Sequence, residues 1–294
     1  MKRNVATRLF FFLSIVFIGS SIPLHYPTAQ AAHLPRPQHV VIVVEENHSF
    51  QQIIGSSSAP YINALAKQGA LFSHSSAITH PSEPNYLALF SGSTHHLTSD
   101  ACPRSYYGLN LGSSLLDAHD SFTGYSESMP GIGFTGCLHP NSDHPLYARK
   151  HNPWVNFQNL SSTSNQTFME FPTNYTNYTN YTQLPTVAFV IPNQQNDMHS
   201  GSIKQGDSWL QANLDGYVQW AHKQNSLLIV TWDEDDGSAQ NQIPTFFVGP
   251  MVKAGVYDEP INHYTVLRTL EEMYNLPPIN KSAETSPITD IWKR

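Results

Sequence analysis

Charge is scarce in this chain. Asp, Glu, Lys and Arg make up 13% of its 294 residues, too little for a disordered polyelectrolyte or a long coiled coil. Cysteine is scarcer: Cys102 and Cys137 are the only two, so there is no CxxC and no cysteine-rich zinc pattern. Basic residues number 15 against 22 acids, a net −7, which argues against a general nucleic-acid binder. Several catalytic signatures are missing too. No G-x-S-x-G elbow occurs, which weighs against an α/β-hydrolase esterase. No G-K-[S/T] and no H-E-x-x-H occur, so neither a P-loop NTPase nor a zincin is suggested. Gly131-Ile132-Gly133-Phe134-Thr135-Gly136 matches G-x-G-x-x-G, but it follows Met129-Pro130 rather than a strand and carries no dinucleotide site.

Apolar residues are sufficient for a real core, at 40% hydrophobic and 12% aromatic. The N-terminus reads as an export signal. Lys2, Arg3 and Arg8 precede a short apolar run, Leu9 to Gly19, and Ala29-Gln30-Ala31 offers a small-x-small cleavage site. The run is short for a bilayer span; an uncleaved anchor is the alternative. The expectation is a signal peptide over 1–31 and a single domain over 32–294, secreted or extracytoplasmic, without stable membrane insertion after cleavage. Losing those three cations takes the net charge from −7 to about −10. Export permits a disulfide. Joining Cys102 to Cys137 would contribute roughly 3–4 kcal/mol by constraining the unfolded chain; two separate buried thiols are the other possibility.

His39–Val44, Thr186–Ile191 and Leu227–Trp232 are continuous β-branched or apolar runs, as strands buried on both faces read. Thr245–Val248 reads as a fourth. Helical spacing predicts helices over Pro60–Gln68, from Asn85 to about Gly92, over Trp209–Lys223 and over Tyr264–Tyr274. Strands alternating with helices predict an α/β fold, a three-layer sandwich with a central, mostly parallel sheet between helices. Residues 100–184 have little regular pattern and read as long loops. They hold a tandem Asn-Tyr-Thr repeat from Asn174 that matches the glycosylation sequon and reads more simply as a low-complexity surface loop.

In open parallel sheets, ligands bind beyond the carboxyl ends of the strands. Glu45-Glu46-Asn47-His48 follows the first strand, Asn196-Asp197-Met198-His199 the second, and Asp233-Glu234-Asp235-Asp236-Gly237 the third. Carboxylates with Asn favour Mg²⁺, Mn²⁺ or Ca²⁺, and histidine admits Zn²⁺ or Fe. The acidic run is no EF-hand, because Gly237 falls one place early and no Glu closes the loop. Ser82, between Pro81 and Glu83-Pro84 just ahead of a helical stretch, reads either as a helix cap or as a nucleophile whose pKa a metal lowers.

The blocks EENHSF, THPSEPNYLALFSG, ARKHNPW, NDMHSG, TWDEDDG and NHYTVLRTLEEMYNL, in this order between about His39 and Leu276, resemble the bacterial and fungal phosphoesterase family. That family holds acid phosphatases and phosphatidylcholine-type phospholipases C, within the alkaline phosphatase superfamily. The resemblance implies an alkaline phosphatase-like fold and a divalent cofactor (Mg, Mn, Ca or Zn). It implies metal contacts from Glu46, Asn47, Ser82, Asp233 and Glu234, with Asp-Glu standing where related branches carry Asp-His or Asp-Asp. Ser82 matches the nucleophile position. His80, Asn85, His151, Asp197 and again Asn47 would contact substrate, and His199 or His263 would protonate the leaving oxygen. The expected activity is hydrolysis of small-molecule phosphate esters through a phosphoserine, as in a secreted acid phosphatase. A phospholipase C-type phosphodiesterase and a catalytically inactive metal-binding surface protein are the alternatives.

Overall fold

The computed structural model describes residues 34–173 and 180–293. The expected signal peptide, and the part of the Asn-Tyr-Thr repeat at 174–179, lie outside the described residues.

Eight strands build the main sheet: His39–Glu45 (β1), Ala70–Phe72 (β2), Phe122–Ser126 (β3), Asn165–Thr167 (β4), Val187–Ile191 (β5), Ser226–Trp232 (β6), Thr245–Val248 (β7) and Gly255–Tyr257 (β8). Their spatial order is β8-β2-β7-β6-β1-β5-β3-β4. Only β7 runs against its neighbours, pairing antiparallel with β6 and β2. The longest runs of valine, isoleucine and leucine take the centre, where both faces are covered. Along β1 the side chains alternate between two cores. Val40, Ile42 and Val44 pack with helices Ser82–Ser91 (α2), Leu111–Asp117 (α3) and His263–Met273 (α5). Val41 and Val43 pack with Pro60–Gln68 (α1) and Ile203–Ala221 (α4). This is the expected α/β sandwich.

The helix starts differ from the sequence reading. Helix α2 begins at Ser82, not Asn85; Pro84 is harmless there because a first-turn residue needs no N–H. Helix α4 begins at Ile203, six residues before Trp209, where the Ser202 hydroxyl accepts the Gln205 N–H. Strands β2, β3, β4 and β8 carry no readable run. In β3, Gly124 leaves room for the Trp154 ring, which a Cβ would meet at 2.1 Å. Cys102 and Cys137 are joined by a disulfide.

The register that matters is that of β1 with β6. Glu45 pairs with Trp232, so the next residues, Glu46 and Asp233, leave the sheet side by side.

Candidate active site

Ser82 opens α2 with Pro81 in the cap position, so its hydroxyl is not needed as a helix cap. The side chain is 2% exposed. Its Oγ donates within reach of Glu234 Oε1 at 3.1 Å and Glu46 Oε2 at 3.3 Å. Segments 36 and 152 residues away thus converge on one hydroxyl.

Glu46 is fully buried and crowded. Its Oε1 accepts from Tyr86 Oη at 2.6 Å and lies 3.1 Å from His151 Nε2. Burial, and then the charge of Asp197, push the Glu46 carboxyl well above its ordinary range. Asp233 is raised by burial and then by Glu46 and Glu234. One of its oxygens accepts the Asn47 N–H at 3.1 Å, and the other is buried with no hydrogen-bond partner among the described residues. Buried acids that raise one another's pKa, with an orphaned oxygen among them, form a pocket short of positive charge. Asn47 adopts φ 51°, a left-handed conformation asparagine tolerates.

The four acids of the 233–236 run separate by role. Asp233 and Glu234 turn inward. Asp235 accepts the N–H groups of Gly237, Ala239 and Asn241, closing its own loop. Asp236 accepts from Gln52 and Ser238 near the surface. His80 bridges the run, with Nδ1 2.5 Å from Glu234 Oε2 and Nε2 3.2 Å from Asp235 Oδ1.

On the other side of Glu46 stand His151 and His199. Ligand atoms of Glu46, His151 and His199 lie within 4.8 Å of one another, a second arrangement able to hold a cation. Sequence spacing missed this grouping because the two rings come from distant loops. Burial depresses the pKa of both rings, His151 more strongly.

Three expected contacts take other positions. Asp197 is fully buried behind His151, with Oδ2 3.5 Å from His151 Nδ1 and Oδ1 accepting the His199 N–H. Its oxygens are turned to the His199 backbone and the His151 ring rather than to open space in front of Ser82. Asn85 is also fully buried, and its amide is spent on the backbone of Ile78, Thr79 and Pro81; it shapes the loop ahead of Ser82. His263 opens α5 beneath the site and is 1% exposed. Its Nε2–H donates to the Asp233 carbonyl at 2.8 Å, and burial lowers its pKa to about 4. A neutral ring with that N–H committed supports Asp233 and is ill suited to protonating a leaving group.

The sequence profile of the Phosphoesterase family matches residues 56–277. The chain is 54% identical over 265 residues to a phosphatidylinositol-3-phosphatase of Mycobacterium tuberculosis, covering 89% of this chain and 85% of that one. It is 30% identical over 229 residues to a phosphate-repressible acid phosphatase of Penicillium chrysogenum, covering 75% of this chain and 55% of that one. An acid phosphatase of Aspergillus fumigatus is 31% identical over 228 residues, at coverages of 74% and 51%. The chain therefore spans about half the length of these fungal proteins. Among solved structures, an alkaline phosphatase superfamily protein from Vibrio parahaemolyticus has a TM-score of 0.57 at 14% identity, covering 86% of this chain and 71% of that one. A phosphonate monoester hydrolase of Agrobacterium radiobacter has a TM-score of 0.51 at 12% identity, with coverages of 83% and 74%. At such identities the likeness is one of fold.

Proposed function

Because the chain belongs to the phosphoesterase family and is a hydrolase acting on phosphoric ester bonds, we propose that it is an exported, metal-dependent phosphomonoesterase that works through a phosphoserine at Ser82. The observation that carries the reading is the Ser82 hydroxyl held between Glu46 and Glu234. The names of the relatives add to it, since a phosphatidylinositol-3-phosphatase and acid phosphatases are monoester hydrolases by name.

The orphaned Asp233 oxygen and the mutually raised acids fit a divalent cation. Glu46, Asn47, Asp233 and Glu234 would hold it on the Ser82 side of the pocket, where hard oxygen donors gather. When bound, such an ion (Mg, Mn, Ca or Zn) lowers the pKa of a neighbouring hydroxyl and offsets phosphate charge.

The chain's own groups do the rest. Glu46 or Glu234 takes the Oγ proton as Ser82 attacks phosphorus in line; both oxygens are at hydrogen-bond distance. The P–O bond to the leaving group breaks as the P–Oγ bond forms. His199, half-buried while His151 is enclosed, is the ring open to substrate and gives its proton to the leaving oxygen. Water then cleaves the P–Oγ bond and restores Ser82. A depressed histidine pKa places the protonated form below the ordinary imidazole range, so the reaction runs best in mild acid.

The test is phosphate release from p-nitrophenyl phosphate by the purified protein and by Ser82→Ala. Loss of turnover in a folded Ser82→Ala variant is expected; retention of more than a few per cent would overturn the role of Ser82. Release of phosphocholine from lecithin without monoester cleavage would favour the phospholipase C reading instead.

A further inference from the structure

One carboxylate links the nucleophile helix to a cation beside the site. Asp100 Oδ1 accepts the N–H of Glu83, the residue after Ser82, at 2.9 Å, and Asp100 Oδ2 lies 2.8 Å from the Lys150 ammonium. Lys150 sits in a short turn pinned on both sides. Before it, the Arg149 guanidinium is committed to Asn156, Thr135, Arg104 and Val155. After it, His151 is buried against Glu46. The two arms of the Asp100–Lys150 contact are also linked through a disulfide and one backbone hydrogen bond. Cys102 lies two residues beyond Asp100 and is joined to Cys137, whose carbonyl accepts the Arg149 N–H at 2.9 Å.

We propose that Lys150 is the cation that receives the substrate phosphate, and that Asp100 is the residue that positions it and couples it to the start of the Ser82 helix. This rests on the phosphomonoesterase reading above. A phosphate dianion bound at Ser82 enters a pocket lined by buried acids, and a protein cation at its rim would help the metal ion to hold it. An ammonium has three donors. Asp100 is its only hydrogen-bond partner among the described residues, which leaves two donors for phosphate oxygens. Arg149 is committed elsewhere, and Arg104 lies against Glu83 at 3.8 Å. The pair is largely buried, with side chains 18% and 26% exposed, so removing one partner also costs stability, and the decisive readout is phosphate affinity in folded variants.

The experiment uses the metal-loaded enzyme, with p-nitrophenyl phosphate as substrate and inorganic phosphate as competitive inhibitor. Lys150→Met is expected to raise both KM and the phosphate inhibition constant by about tenfold or more, the scale of a lost charged hydrogen bond. The melting temperature should fall in Lys150→Met, since the Asp100 carboxylate loses its partner, and Lys150→Arg should recover part of both the affinity and the stability. Asp100→Asn keeps an acceptor for the Glu83 N–H but loses the charge, and should show a smaller rise. The double variant Asp100→Asn/Lys150→Met should be no worse than Lys150→Met alone. An inhibition constant within about twofold of wild type in Lys150→Met would overturn the proposal, as would multiplicative losses in the double variant. If Lys150→Met fails to fold, Asp100→Asn and Lys150→Arg decide it, since each keeps the local packing; a wild-type phosphate affinity in both overturns it. Ser82→Ala separates the two readings: an active Ser82→Ala enzyme sinks the phosphoserine mechanism, whereas an inert one with unaltered Lys150 variants sinks only the role given to Lys150.

Discussion

The ring of His151 stacks on that of Tyr86, with centroids 5.1 Å apart and planes 15° apart, and both direct a polar atom at the same oxygen of Glu46. Tyr86 follows Ser82 by four residues, so helix geometry sets the two on one face. A single turn of α2 therefore supplies the proposed nucleophile and a clamp on the acid beside it. Burial and the charge of Glu46 keep the Tyr86 hydroxyl protonated, and thus a donor.

Tyr86→Phe should cost about 1–3 kcal/mol of folding stability, since it leaves a buried carboxylate short of a donor. It should also lower kcat with p-nitrophenyl phosphate while leaving the His151 stack in place. Urea unfolding alongside steady-state kinetics measures both effects; unchanged stability and rate would mean that Glu46 is held adequately without the tyrosine.

What could be read from sequence followed burial. The central strands β1, β5 and β6 are long apolar runs, and their carboxyl ends announced Glu46, Asp197 and Asp233 in advance. Strand β3 could not be read, because Phe122-Thr123-Gly124-Tyr125-Ser126 has a glycine where packing against Trp154 demands one. Strands β2 and β8 are three residues each, too short for a period to show. At the site, residue type indicated chemistry but not orientation. Asp197, Asn85 and His263 have the right chemistry for substrate contact, yet they support the groups around them. That distinction depends on which way a side chain faces, and local sequence does not encode it. Asp100 lay in a stretch read as loop, where no pattern marked it.

Chelation should inactivate the enzyme, and added Mg²⁺, Mn²⁺, Ca²⁺ or Zn²⁺ tested singly should identify which ion restores it. Glu46→Gln and Asp233→Asn should each bind less metal, because each removes a charged oxygen donor. His199→Ala should keep its metal and lose rate. Elemental analysis of the three variants checks this. Loss of metal in His199→Ala would assign the ion to the grouping of Glu46, His151 and His199.

His199 and His263 should separate in their pH profiles. His199, with a depressed pKa, is the proposed acid, so activity should fall as pH rises through that value. His199→Asn should flatten this limb. His263, lowered to about 4, is neutral throughout the working range; His263→Asn should reduce stability and rate yet leave the limb's position unchanged. Profiles of kcat from pH 4.5 to 8, roughly the span of ordinary histidine titration, distinguish them. A limb that moves in His263→Asn would give the proton to His263.

Two buried carboxyls, Glu271 and Glu83, the latter next to Ser82, make stability depend on pH in an unusual direction. Glu271 accepts hydrogen bonds from Ser282 Oγ and from the Ile279 N–H, and burial raises its pKa to about 7. Glu83 is likewise raised by burial to about 7, with Arg104 opposing the shift. In the unfolded chain both return towards 4.5. The folded state thus binds protons that the unfolded state has released. The associated stability is complete below pH 4.5 and is lost as pH rises through about 7. A loss of roughly 2–3 kcal/mol per group is the expected scale. The melting temperature should therefore be higher at pH 5 than at pH 8, and Glu271→Gln should narrow the difference by removing one of the two titrations. An unchanged pH 5-to-8 difference in Glu271→Gln would show that this carboxyl does not titrate between those values in the fold.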